Sequence, residues 1–279
     1  MLYWLIEHLD HSVFNLLRYT SIRAGSAIGT AFFVVIFLGA LIRLTNPNRH
    51  SGLAARLEGV SSQVVSRIGS PAICGLTLLS AASMSILLWA NLRNPYVWIT
   101  IGAAAGFALI GFHDHLQMTL SHGRLSHGTR LLIETVIAIG AWIAVFRIGR
   151  GPLAASVIFG EHPVVFGFIS LAFSTMVVVG AANAVRLNDA FGRLAIVPVM
   201  IAAVILGISA YLTGHVVLAY HLQLQHVAGA HELTVVCAVI TGVCPGLVWL
   251  KAASTPVFMG DAGSLAIGAA LGTVAVVVL

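Results

Sequence analysis

Apolar residues run through this chain in long uninterrupted blocks, separated by short segments rich in Arg, Asn, Pro and His. Blocks of the length an α-helix needs to cross a bilayer, about 20 residues, fall at positions 24–44, 71–92, 96–112, 131–149, 163–185, 194–214, 232–250 and 264–279. Each is apolar all round, which fits neither the alternation of a half-buried strand nor the single stripe of a surface helix. The pattern predicts an all-α, polytopic integral membrane protein with about eight transmembrane helices. Residues 1–20 differ, because MLYWLIEHLDHSVFNLLRYT mixes Trp, Leu and Phe with Glu7, Asp10, His8 and His11. That mixture suits an amphipathic helix lying in the membrane interface. A cleavable signal peptide needs a basic start and an unbroken apolar stretch, and neither is present, so the segment is expected to be retained. Residues 1–279 read as one membrane domain, with residues 21–279 forming the bundle.

Composition agrees: 59% of residues are hydrophobic and 8% charged, with a mean hydropathy of +1.00. One soluble core cannot bury that much apolar surface. Cys74, Cys237 and Cys244 all lie inside apolar blocks without a CxxC pair, so they read as small buried apolar residues.

The basic residues set an orientation. With the N-terminus outside, the inner segments carry Arg43, Arg49, Arg56, Arg67, Arg124, Arg130, Arg186, Arg193 and Lys251, against Arg18, Arg23, Arg93, Arg147 and Arg150 outside. The excess of inner positive charge favours an outside N-terminus. These charges are spread over several loops, so the net charge of +5 points to anionic lipid or a phosphorylated substrate. A nucleic-acid partner would call for one concentrated patch.

In that topology Asp114 closes the third span, Asp189 lies in the loop after the fifth and Asp261 precedes the eighth, all on the inner face. Carboxylates meeting at one membrane face suit a hard divalent cation such as Mg²⁺, which takes oxygen ligands together with water and substrate phosphate. Their other reading is as solvated loop charges. In TPVFMGDAGSLAIGAALG (255–272), Gly260 and Gly263 permit close backbone approach, and the helix start near Ser264 favours an anion. A transporter would place an acidic pair or a broken helix at mid-span, and neither is present.

The stretch from Glu232 to Leu279 resembles the phospho-N-acetylmuramoyl-pentapeptide transferases, a family within the polyprenyl-phosphate N-acetylhexosamine-1-phosphate transferase superfamily. The resemblance extends through AANAVRLNDAFGRLAIVP (181–198), NPYVW (94–98), GFHDHL (111–116), GSPAICG (69–75) and the N-terminal segment, in order along the chain. It implies transfer of phospho-N-acetylmuramoyl-pentapeptide from its UDP carrier, UDP-N-acetylmuramoyl-pentapeptide, to undecaprenyl phosphate, giving lipid I and UMP with Mg²⁺. It also implies a homodimer in the bacterial inner (cytoplasmic) membrane, with the active face cytoplasmic. Carried onto this sequence, it makes Asp114, Asp189 and Asp261 the catalytic carboxylates, with Asp189 the best metal ligand. It makes Arg67, Asn183, Arg186, Lys251, Gly260, Gly263 and Ser264 the substrate-binding positions.

The chain also departs from that family. His115 stands where a second adjacent aspartate is expected, Gly192 where a second loop aspartate is expected, Arg186 at an expected asparagine, and Lys251 at another. Neutral imidazole is a poor ligand for Mg²⁺; with His113, His122 and His127 nearby, Zn²⁺ is an alternative. Arg186 and Arg193 either hold phosphate or neutralise Asp189. Glu134 and Glu232 read as interfacial residues. The resemblance implies two further spans and a histidine-rich inner loop beyond residue 279, for which His215, His221, His226 and His231 on the outer side do not substitute. The competing reading is a catalytically impaired relative that keeps the fold and binds polyprenyl phosphate or a nucleotide sugar.

Overall fold

A computed structural model describes residues 19–45, 71–119, 126–149, 167–190, 196–252 and 259–278. The expected interfacial helix at 1–18 lies outside them. Nine helices are present among the described residues: α1 (Thr20–Thr45), α2 (Pro71–Trp89), α3 (Pro95–Thr119), α4 (His127–Gly149), α5 (Gly167–Ala190), α6 (Ile196–Gly214), α7 (Val216–His221), α8 (His231–Ala252) and α9 (Gly260–Val278). Each of the eight apolar blocks contains one of these helices among its described residues. Seven of the helices are long and apolar enough to span a membrane; in α2 the apolar portion is the shorter Thr77–Trp89.

Two helices form the centre. In α8 and α9, 72% and 78% of the apolar window is buried within the protein, against 17% in α1 and α4, whose exposed Phe33, Phe37, Leu132 and Val136 face outward as lipid-facing residues do. α8 packs chiefly against α1 and α6, and α9 against α5 and α3, while α2 touches α1, α8 and α9. α9 reaches its neighbours through missing side chains. A Cβ on Gly268 would lie 2.6 Å from Ala182 Cα of α5, and one on Gly111 of α3 would lie 2.6 Å from Ala262 Cα of α9. Helix association in lipid relies on such close packing, because apolar tails solvate Leu as well as another helix does.

The spans alternate in direction, so the bundle has two polar ends. One gathers the ends of α3 and α5 and the starts of α4 and α9. The other gathers the starts of α1, α3 and α8.

Candidate active site

At the first end, Asp114, Asp189 and Asp261 all lie within helices rather than in loops. Asp189 was expected in a loop after the fifth span, but it belongs to the last turn of α5. Its carboxylate explains the difference: Oδ1 accepts the Met259 N–H at 3.1 Å and Oδ2 the Gly260 N–H at 3.0 Å. With Asp189 buried to 5% exposure, the carboxylate tethers the end of α5 to the start of α9. A carboxylate there is favoured by the helix dipole and by two N–H groups with no intrahelical partner. Gly260 has φ 75°, a left-handed conformation that suits glycine. The anion at this helix start is therefore the protein's own.

Gly263 and Ser264 are packed inside the protein. Ser264 is 0% exposed and its hydroxyl donates to the Gly260 carbonyl at 2.9 Å; a Cβ on Gly263 would sit 3.2 Å from Gly75 Cα.

A buried polar network joins α3, α4 and α5. Glu134, 0% exposed, accepts Arg130 Nε at 2.9 Å and Asn183 Nδ2 at 2.5 Å, and Asn183 Nδ2 also donates to the Val179 carbonyl at 3.0 Å. Arg130 reaches Asp114 Oδ2 through Nη1 at 3.4 Å. The reading of Glu134 as an interfacial residue is thus corrected, because its carboxylate has two donors inside the bundle and none of its surface meets solvent. Arg130 and Glu134 are the site residues that sequence reasoning missed. Their i,i+4 spacing within an apolar helix was the available signal, since ionisable side chains at membrane depth need partners.

Three atoms of this network are buried without a hydrogen-bond partner: Asp114 Oδ1, Arg130 Nη2 and Arg186 Nε. Arg186 also interacts electrostatically with Asp261, Glu134 and Asp114 and with the like charge of Arg130. An unmet acceptor beside two unmet guanidinium donors is an arrangement that an anion accompanied by a cation would complete. The carboxylate of Asp261, half-buried in the first turn of α9, makes no hydrogen bond among the described residues. Arg67 and Gly192 lie outside the described residues, as do Arg193 and the side chains of Lys251 and His115.

A bound Mg²⁺ is tested by this donor set. No group of three or more His, Cys, Asp or Glu side chains converges on a metal position among the described residues. Mg²⁺, however, is commonly held by one or two carboxylates plus substrate phosphate and water. Asp114 Oδ1 and Asp261 fit that requirement, and the oxygens of Asp189 each accept one backbone N–H, from Met259 and Gly260.

Residues 96–279 match the family model described as "Glycosyl transferase family 4". The chain belongs to glycosyl transferase family 4. Among curated relatives, this family member is 41% identical over 285 residues to a phospho-N-acetylmuramoyl-pentapeptide-transferase of Rhodopseudomonas palustris strain BisA53, covering all of this chain and 79% of the relative. The transferase of strain BisB18 is 41% identical over 286 residues, with the same coverage. The family member is thus a multi-pass membrane protein whose polar cluster lies within the matched residues.

Proposed function

We propose that this chain is a phosphoglycosyl transferase that moves phospho-N-acetylmuramoyl-pentapeptide from UDP to undecaprenyl phosphate. Identity of 41% with such transferases along the whole chain carries the reading, and the unmet polar atoms of the α3–α4–α5 network support it. The reaction exchanges one partner of a phosphoric anhydride for another. An oxygen of the lipid phosphate attacks the sugar-bearing phosphorus, the bond from that phosphorus to the oxygen shared with UMP breaks, and UMP leaves with that oxygen. Lipid I carries the new diphosphate. The demand on the protein is therefore to hold phosphate charge and align the attack.

This chain meets that demand through Arg130 Nη2 and Arg186 Nε, the two donors without partners, which suit phosphate oxygens. Glu134 holds Arg130 from behind and Asn183 holds Glu134, so the guanidinium is set before substrate arrives. Asp189 positions the start of α9, and with it Asp261. Asp114 and Asp261 would hold a Mg²⁺, which would supply neutralisation of the diphosphate. Membrane spans on one side and solvent on the other admit a lipid and a nucleotide sugar to one site. The excess of basic residues at this end supports a cytoplasmic active face, and the likeness to bacterial transferases supports a place in the inner membrane.

One observation favours the second reading, a relative that binds without turning over. Asp189 is bound to the backbone and Asp114 to Arg130, so fewer carboxylates remain for the metal. Lipid I formation by the purified chain, with Mg²⁺, radiolabelled nucleotide sugar and undecaprenyl phosphate, decides between them. Product formation that Asp114→Asn reduces by about a hundredfold or more, as expected on removing a group from a cooperative catalytic set, supports the transferase. No product above the level of that variant sinks it.

A further inference from the structure

Asn183, Arg186 and Asp189 follow one another at three-residue intervals near the end of α5, so they lie along one side of the helix with Arg186 in the middle. Asn183 donates to Glu134 of α4, and Asp189 accepts the Met259 and Gly260 N–H groups at the start of α9. Arg186 thus lies between the Glu134 side of α4 and the Asp261 side of α9. Its electrostatic neighbours are Asp261, Glu134 and Asp114, with Arg130 as a like charge. It is bound to none of those carboxylates. Its Nε is buried without a hydrogen-bond partner, and no ion pair among the described residues includes its guanidinium.

The opposite end of the bundle shows the other way of placing such charges. There Glu232, 3% exposed, is ion-paired with Arg23 of α1 and accepts the Asn91 N–H at 3.1 Å. That pairing corrects the reading of Glu232 as an interfacial residue. A guanidinium in direct contact with its carboxylate joins two helices, whereas one that faces three carboxylates and touches none leaves a buried donor for a ligand.

The charge on Arg186 is permanent, since a guanidinium does not deprotonate in proteins. Its side chain is half-buried, where salt screens a charge less than at the open surface. Asp114 is already paired with Arg130 at 3.4 Å. A divalent cation approaching Asp114 and Asp261 in the empty site therefore meets two fixed like charges. A phosphate group changes that balance by placing its oxygens on Arg130 Nη2 and Arg186 Nε, and phosphate oxygens are also ligands for a hard cation.

We propose that Arg186 makes metal binding conditional on phosphate: it opposes a divalent cation in the empty site and admits one together with the nucleotide phosphate. This coupling rests on the reading of Asp114 and Asp261 as the metal-holding residues of a transferase. Coupling between two ligands is reciprocal, so the metal strengthens phosphate binding by the same factor by which phosphate strengthens metal binding.

Mn²⁺ tests it, because this paramagnetic ion suits the same oxygen ligands and its free form is counted directly by electron paramagnetic resonance, with the purified full chain in detergent and no turnover. The wild type is expected to bind Mn²⁺ about tenfold more tightly with UMP than without, after correction for the metal that UMP holds in solution. Arg186→Gln should bind Mn²⁺ without UMP about tenfold more tightly than the wild type, the scale of one like-charge repulsion across several ångströms, and should lose most of the UMP effect. Arg186→Lys keeps the charge and should stay near the wild type; thermal unfolding shows that each variant is folded. Wild-type Mn²⁺ affinity that is indifferent to UMP overturns the proposal without recourse to any variant. So does Arg186→Gln at wild-type affinity, or Arg186→Lys that tightens binding as much as glutamine does. Asp261→Asn separates this proposal from the reading beneath it. If that variant weakens Mn²⁺ binding while Arg186→Gln changes nothing, only the role of Arg186 falls; if it binds Mn²⁺ as the wild type does, the metal placement falls and the coupling with it.

Discussion

Glu134 is where a single side chain decides the state of the site. Replacing it by leucine removes the acceptor of both Arg130 Nε and Asn183 Nδ2. Arg130, 4% exposed, is then left with Asp114 at 3.4 Å, a separation at which little of a hydrogen bond remains. Breaking a buried ion pair by removing one partner costs about 3–5 kcal/mol, because the other charge stays buried and uncompensated. For a chain of this size that corresponds to a fall of roughly 10 °C in the unfolding midpoint. Glu134→Gln also leaves the Arg130 charge without its partner but keeps an acceptor for it, so it should be less costly than leucine by about 1–2 kcal/mol, the worth of the retained hydrogen bond. The double variant Arg130→Met with Glu134→Leu removes both charges and should recover part of the stability lost by Glu134→Leu alone. Tryptophan-fluorescence unfolding in detergent measures all three, and lipid I formation at a temperature where each is folded separates function from stability. The two single variants should both slow the transfer, leucine more than glutamine, since Arg130 loses its alignment. If Glu134→Leu unfolds at the wild-type midpoint, the buried network does not hold the bundle and the reasoning fails. If glutamine is as harmful as leucine, it is charge, and not hydrogen bonding, that secures Arg130.

Three further outcomes follow from the same geometry. Asp189→Ala strips two N–H groups at the start of α9 of their acceptor and should cost about 2 kcal/mol, at the upper end for a lost helix cap; chemical denaturation measures it, and Asp189→Asn should recover part of it by accepting one of the two. Gly111→Ala puts a methyl group where α9 backbone already lies and should destabilise the α3–α9 contact by about 1–3 kcal/mol, whereas Gly102→Ala, with open space around it, should unfold at the wild-type midpoint. Asp261→Asn should raise the Mg²⁺ concentration needed for half-maximal lipid I formation by about tenfold, the worth of one charge-assisted contact; an unchanged Mg²⁺ titration would remove Asp261 from the metal.

The course of the polypeptide through the membrane was legible in the sequence because hydrophobicity is a local property. A block of apolar residues long enough to cross hydrocarbon must be helical, since no water is there to satisfy its backbone. For the same reason Asp114, Asp189 and Asp261 stood out as charges at the ends of such blocks, and alternating spans bring them to one end of the bundle. The burial of Cys237 and Cys244 was legible on the same grounds.

Partner choice was not legible, because it depends on which helices touch. Glu134 meets Asn183 across 49 positions, Asp189 meets Gly260 across 71, and Arg23 meets Glu232 across 209. A carboxylate at a span end reads alike whether it will face water, hold a metal or cap a distant helix. Close packing at Gly111 and Gly268 sets α3 and α5 against α9, and only that arrangement commits Asp189 to the backbone. It also leaves Asp114 Oδ1, Arg130 Nη2 and Arg186 Nε unmet. The sequence by itself determined where this chain crosses the membrane and which charges sit at the crossings; the tertiary structure decided which of those charges are already spent on one another, because pairing free energy is gained only between groups that packing brings within a few ångströms.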